Sequence, residues 1–257
     1  MNRSVSSLLH LGLLWLVVTP LGLVAQQAGE ETRNWAAKGE LGGSAFFGNT
    51  SQSAVTAALS GDVGRGRLKL DGRMGFAYGR TANDAGETMT NKRAWDLTVR
   101  LDFDSGTSVG GFIVSRVESV LEKNIALRYS LGPGGKYEMG GNGTTADFNL
   151  ALLVEKTIPR EEAGVPNEVV AKWAAGFRLE RRTGDGRVRF ETSTSIAPEL
   201  RELGVFTLTS RSSLAFQLSQ RIGVQFSFVD SYDSEAESRG ARSNNDGQIF
   251  FGVVGTF

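Results

Sequence analysis

The side chains that most often perform covalent chemistry are nearly missing from this chain. Cysteine does not occur among the 257 residues, and the one histidine, His10, lies near the start. If the first residues are a leader that is removed, Ser-His and Cys-His nucleophiles and His-ligated metal centres have no residues to build them. Carboxylates remain. Asp96 with Asp102, and Glu138 with Asp147, are spaced so that an alternating strand puts each pair on one face, where an acid-base pair could work. Beside so many arginines the same carboxylates read as structural ion pairs. Asp230, Asp233, Glu235, Glu237 and Asp246 offer the hard oxygens that calcium accepts, but their spacing matches no calcium loop and they read as a solvated acidic connection. The run Gly132-Pro133-Gly134-Gly135 lacks the Gly-Lys-Ser/Thr ending and following helix of a phosphate cradle. Its glycines instead relieve crowding in a bent strand. No catalytic residue, metal or other cofactor is expected, and the chain does not read as an enzyme.

The functional candidates are the charges that alternate with apolar residues. In RGRLKLDGRMGFAYGR, Arg67, Lys69 and Arg73 fall opposite Leu68, Leu70, Met74 and Phe76. In RAWDLTVRLDFD, Arg100 falls opposite Trp95, Leu97, Val99 and Leu101. Arg128, then Lys172 and Arg178, then Arg187 and Arg189, and finally Arg211 take the same place in later segments. With Lys38, Lys136 and Arg182 they outnumber the acids expected on that face, Glu40, Asp71, Asp96, Asp102, Glu138, Asp147, Glu155, Glu180 and Glu191. Around a water-filled lumen such a modest excess favours anions. If the same groups paired across the lumen they would plug it.

What must position these charges is a strand, because a helix cannot segregate residues that alternate with a period of two. Twelve such segments can be read, at about 34–48, 51–63, 65–80, 89–104, 107–121, 124–140, 145–158, 168–182, 187–198, 203–218, 221–233 and 246–257. In the stretch 105–125 both faces carry apolar residues, and Ile113 and Val114 cannot be assigned to sides. Each segment is long enough for a tilted strand to cross the roughly 30 Å hydrocarbon core. The connections sort by parity, though not completely: GDVGRG, DSGT, GGNGT, TGDG and SQR are short, while TIPREEAGVPNE, GRTANDAGETMTN, APELRE and DSYDSEAESRGARSNND fall on the other end, where the connections near Gly48-Asn49 and Leu121-Glu122 are short as well. That asymmetry is expected of an up-and-down barrel through an outer membrane. In lipid an open sheet edge is too costly to leave unpaired, so the sheet closes. The fold class expected is all-β, a transmembrane up-and-down antiparallel barrel of about twelve strands.

The ends fit this reading. Residues 1–25 carry Arg3, an apolar run from Leu8 to about Val18, Pro20 and a small-residue exit at Ala25, the pattern of a cleaved secretory signal. Residues 26–33 then form a short periplasmic segment and 34–257 the barrel. At the other end Ile249, Phe251, Val253, Gly255 and Phe257 alternate to the last residue, resembling the C-terminal signal that the barrel assembly machinery recognises. Bases and acids balance at 28 each, which argues against a nucleic-acid partner.

Three stretches also carry a family resemblance. GELGGSAFFGNTSQSA with Gly48, Asn49 and Thr50, IALRYSLGPGGKYEM with Arg128, Tyr129, Gly132, Gly135 and Tyr137, and the closing hairpin with Asp246 and Phe257 resemble the Gram-negative barrels known as salt-induced outer-membrane proteins. The loop at 233–241 lacks the proline that family often has there. The resemblance implies a cell outer-membrane location and no settled activity. Two functions follow as expectations: a narrow, weakly anion-preferring pore for small solutes, or a closed structural barrel serving an osmotic or salt response. Outer-membrane lipids, lipopolysaccharide and the barrel assembly machinery are the partners expected.

Overall fold

The computed structural model describes residues 34–47, 52–82, 88–104, 106–161 and 167–256. The expected leader 1–25, the segment 26–33, the Gly48-Asn49-Thr50 motif and Phe257 lie outside the described residues. Twelve antiparallel strands run in chain order as β1 (Asn34–Phe47), β2 (Gln52–Arg65), β3 (Leu68–Ala82), β4 (Thr88–Phe103), β5 (Val109–Val120) and β6 (Ile125–Gly141), then β7 (Thr144–Pro159), β8 (Glu168–Arg182), β9 (Val188–Pro198), β10 (Phe206–Gln217), β11 (Ile222–Asp233) and β12 (Asn245–Thr256). Each strand pairs with its neighbours in sequence, and β12 closes on β1 from Lys38↔Thr256 to Phe47↔Gly247. The expected up-and-down barrel of twelve strands is the fold.

Closure draws on small residues at the seam. A Cβ on Gly42 would meet the Gly252 Cα at 2.6 Å and run into the Phe251 carbonyl oxygen, so only glycine lets β1 lie this close to β12. At the other side the β6–β7 turn is made by Asn142 and Gly143, with φ of 51° and 75°. Two successive left-handed residues give the turn whose twist matches the strands it joins.

The distribution of side chains is the reverse of a water-soluble domain. Leu41, Leu59, Leu150 and Phe251 are more than half exposed, while Asp102, Arg128, Glu155 and Lys172 are buried. A girdle of exposed large apolar residues far exceeds what a soluble surface tolerates, and it fits a hydrocarbon solvent. Polar groups interrupt the girdle on β9 and β10, where Thr192 pairs with Ser212 at 3.0 Å and Thr194 with Ser210 at 3.2 Å. These hydroxyls satisfy one another, as lipid requires.

The alternation holds through the stretch that sequence left open. Ile113 is exposed on the outer face, and Phe112 is buried on the inner one. Phe112 belongs there because the Arg100 guanidinium lies 3.9 Å from its ring centroid. Phe46 is likewise turned inward, under Lys92 at 4.2 Å. Aromatic rings can line a charged lumen when a cation sits on their faces. β3 and β4 pair as far as Ala82↔Thr88 across a shift at Gly79/Arg80, so most of the stretch GRTANDAGETMTN belongs to strands rather than to their connection. The contrast of loop lengths therefore rests chiefly on residues 160–167, 199–205 and 234–244.

Candidate functional site

The lumen divides into three levels. In the half nearest the short turns, ion pairs lie along the wall. Lys69 meets Asp71 at 3.0 Å, Asp102 receives Arg100 at 2.9 Å and Lys136 at 3.2 Å, Arg178 meets Glu191 at 2.9 Å, and Arg189 meets Glu180 at 2.7 Å. Most of these basic side chains are one quarter to one half exposed, so this half remains open to solvent. Of the carboxylates considered for acid-base work, three stand in this half. Asp102 is held by two cations, and Glu138 stands across from Asp147, which accepts a hydrogen bond from Asn149.

At mid-length stand Arg73 on β3 and Arg211 on β10. Nearby, Lys38 bonds Glu40 at 2.9 Å and donates to Gln225 at 3.0 Å.

The half nearest the long loops is closed. Arg128 on β6 donates to Glu118 on β5 and to Thr157 on β7, and reaches Asp233 on β11 at 2.8 Å, five strands away round the ring. Asp233 also accepts from Arg239 at 2.6 Å. Arg239 ends a short 3-10 turn, Glu237–Arg239, in the β11–β12 loop. Gly240 follows with φ of 83°, a left-handed stop that turns the loop back. Arg239 and Ala236 are buried, and Asn124 donates to the Arg239 carbonyl at 2.8 Å. Lys123 reaches Ser231 at 3.1 Å and Asp246 at 3.6 Å, Lys92 pairs with Glu122, and Lys172 pairs with Glu155 at 2.8 Å. Beneath these bridges lies a cavity of about 270 Å³, lined by Asp96, Arg116, Ser130, Thr209 and Gln248 among others. The acidic run read as a solvated loop is thus divided: Asp233, Glu235 and Asp246 pair with basic side chains.

Glu199 sits outside the strands, bridged to Lys172. Burial raises its carboxyl above the usual range. Lys172 opposes that rise, while Glu235, Glu168 and Glu155 add to it. A carboxyl whose folded value is raised weakens the fold when it is ionised at neutral pH, and that penalty disappears as pH falls and the folded state takes up the proton. Glu199→Gln is therefore expected to raise the thermal midpoint at neutral pH and to leave it unchanged in acid. A lower midpoint at neutral pH would show that the Lys172 contact outweighs burial.

Of the ten basic residues expected to line the lumen, Lys69, Arg73, Arg100, Arg128, Lys172, Arg178, Arg189 and Arg211 are on the inner face of strands. Arg67 and Arg187 are not. Both lie in turns just before a strand begins, with side chains 79% and 78% exposed, where Arg67 meets Asp104 and Arg187 lies near Asp185. The alternation ran past the ends of β3 and β9 because turn residues there are polar too. Lys123 and Arg239 escaped sequence reasoning because loop residues carry no periodicity; Arg116 on β5 lies in the stretch 105–125 whose faces could not be assigned, and Lys92 near the start of β4 was passed over although it keeps the inner parity of that strand. Ile249, Phe251, Val253 and Gly255 occupy the outward face of β12.

A closed antiparallel barrel with an even strand number, an apolar exterior and a charged interior is the architecture of outer-membrane β-barrel proteins. Over residues 39–257 the chain matches the family described as "Protein of unknown function, DUF481", and it belongs to that family. No curated relative matches the sequence. Among solved structures, the NanC porin is 8% identical with a TM-score of 0.52, covering 86% of this chain and 98% of that one. The anion-selective porin from Comamonas acidovorans is 10% identical with a TM-score of 0.43, covering 88% and 100%. The KdgM porin is 7% identical with a TM-score of 0.45, covering 87% and 99%. At such identities the likeness to NanC is one of fold.

Proposed function

We propose that this protein is an outer-membrane pore for small solutes, weakly preferring anions, with its short turns in the periplasm and its loop end shut at rest. The observation that carries this reading is how the lumen is closed. Among the described residues the obstruction is a set of side-chain ion pairs and one loop, 234–244, and the turn half is lined by partly exposed charges. Contacts of this kind can exchange for water and ions, which a packed apolar plug cannot do. The leader at 1–25 would bring the chain out of the cytoplasm. The outward face of β12, ending at Phe257, would present it to the assembly machinery. Lipid and lipopolysaccharide would surround it, and no catalytic step is assigned.

Planar bilayers test this with refolded protein lacking residues 1–25. Small conductance steps are expected, with an anion preference that falls in Arg178→Gln/Arg189→Gln. Asp233→Asn combined with Arg239→Gln is expected to raise the open fraction severalfold, because it releases the loop from the wall. A second reading, a closed barrel serving the salt or osmotic response that the sequence resemblance implies, is favoured by the buried Arg128 centre. Bilayers silent at high protein load, for the loop-released variant too, would establish that reading over the pore.

A further inference from the structure

We propose that Arg73 and Arg211 form a binding site for a small doubly charged oxyanion, of the phosphate kind, at the waist of the lumen. The inference deepens the pore reading and rests on it for access to the site. β3 and β10 are five strands apart round the ring, so the two guanidinium groups come from nearly opposite walls. They are close enough for the Arg73 charge to act on Arg211, and both act on Glu40.

Neither has a carboxylate within ion-pair distance among the described residues, unlike the other basic wall residues Lys69, Arg100, Arg128, Lys172, Arg178 and Arg189. Three acids lie in electrostatic range, and two of them are held by other cations. Glu191 meets Arg178 at 2.9 Å and Arg189 at 3.0 Å. Glu40 is bonded by Lys38 at 2.9 Å and accepts from Gln225. Asp96 is packed against the backbone of Gly75, where a Cβ would lie 2.6 Å from its Oδ1. The cross-strand neighbours that share the inner face are Ser60 and Thr98 beside Arg73, and Ser193 and Val229 beside Arg211. Short side chains leave room, and the three hydroxyls can donate to an oxyanion without neutralising either arginine.

Two like charges facing each other in a lumen walled by protein repel more strongly than in bulk water. A dianion removes that repulsion, and each guanidinium presents paired N–H donors that match two of its oxygens. A monovalent halide can satisfy one arginine but not both forks, so the site selects by charge and shape.

The test is calorimetric titration of inorganic phosphate into the detergent-refolded barrel at fixed ionic strength. One site is expected, with affinity falling about tenfold or more in Arg73→Gln or Arg211→Gln and binding lost in the double variant. Arg67→Gln, in an exposed turn, should bind as the wild type does. Arg211→Lys keeps the charge without the fork and should fall between wild type and Arg211→Gln. Each variant is checked for the heat-resistant folded band of a barrel, so a folding defect is not read as lost binding. No phosphate binding, or equal binding by the folded double variant, overturns the inference. Phosphate binding without conductance would sink the pore and keep the site, whereas conductance unaffected by phosphate and by both substitutions would do the reverse.

Discussion

Arg128→Met is expected to lower the unfolding free energy by about 3–5 kcal/mol, the usual consequence of removing one partner from a buried ionic cluster. Glu118, Glu155 and Asp233 surround this guanidinium, and all four side chains are about one tenth exposed or less. Methionine fills much the same space, so the loss isolates charge rather than volume. Asp233 would keep Arg239 and Glu155 would keep Lys172, which sets the upper bound. Arg116→Gln is the internal comparison. Arg116 bonds the same Glu118 at 2.6 Å, but its side chain is half exposed, and water takes over much of its role, so about 0–1 kcal/mol is expected. Denaturant unfolding in micelles measures both. Equal small losses would mean that water enters the loop half freely and that it is not sealed.

Leu150→Arg is expected to cost about 2–4 kcal/mol if this face meets the hydrocarbon midplane. Leu150 is 53% exposed on the outer face of β7. On a surface bathed in water such a change would fall within about 0.5 kcal/mol. Leu203 supplies the control: it is 67% exposed in the connection 199–205, beyond the strands. The same substitution at two similarly exposed leucines therefore differs only in the solvent outside. Unfolding from lipid vesicles should be sensitive at 150 and indifferent at 203. Matching behaviour at both sites would remove the membrane from the description of this barrel.

The strands were legible in the sequence because the pleat writes itself as a period of two. From Leu68 to Phe76, or Trp95 to Leu101, apolar residues keep to one parity over a full crossing. Legibility failed where a residue's environment depended on a distant strand. Phe112 and Phe46 look like outward residues, and only the positions of Arg100 and Lys92 explain why they turn inward. Arg67 and Arg187 look like wall residues because a polar turn continues the alternation for one step. The closing of the loop half was not legible at all. It depends on Arg128 meeting Asp233, residues on strands with four others between them, and on where residues 234–244 fold. The like-charged pair at the waist was visible only as two members of a basic set; their isolation from carboxylates needed the register.

The Arg128 to Asp233 bond has a mechanical consequence as well. A cylinder of hydrogen-bonded strands deforms most easily by ovalising, since that bends the wall without breaking a rung. A stiff, charge-assisted tie stretched almost along a diameter acts as a spoke, and it blocks that mode at one rim only. The vessel is therefore braced at the end that carries the long loops and left supple at its base.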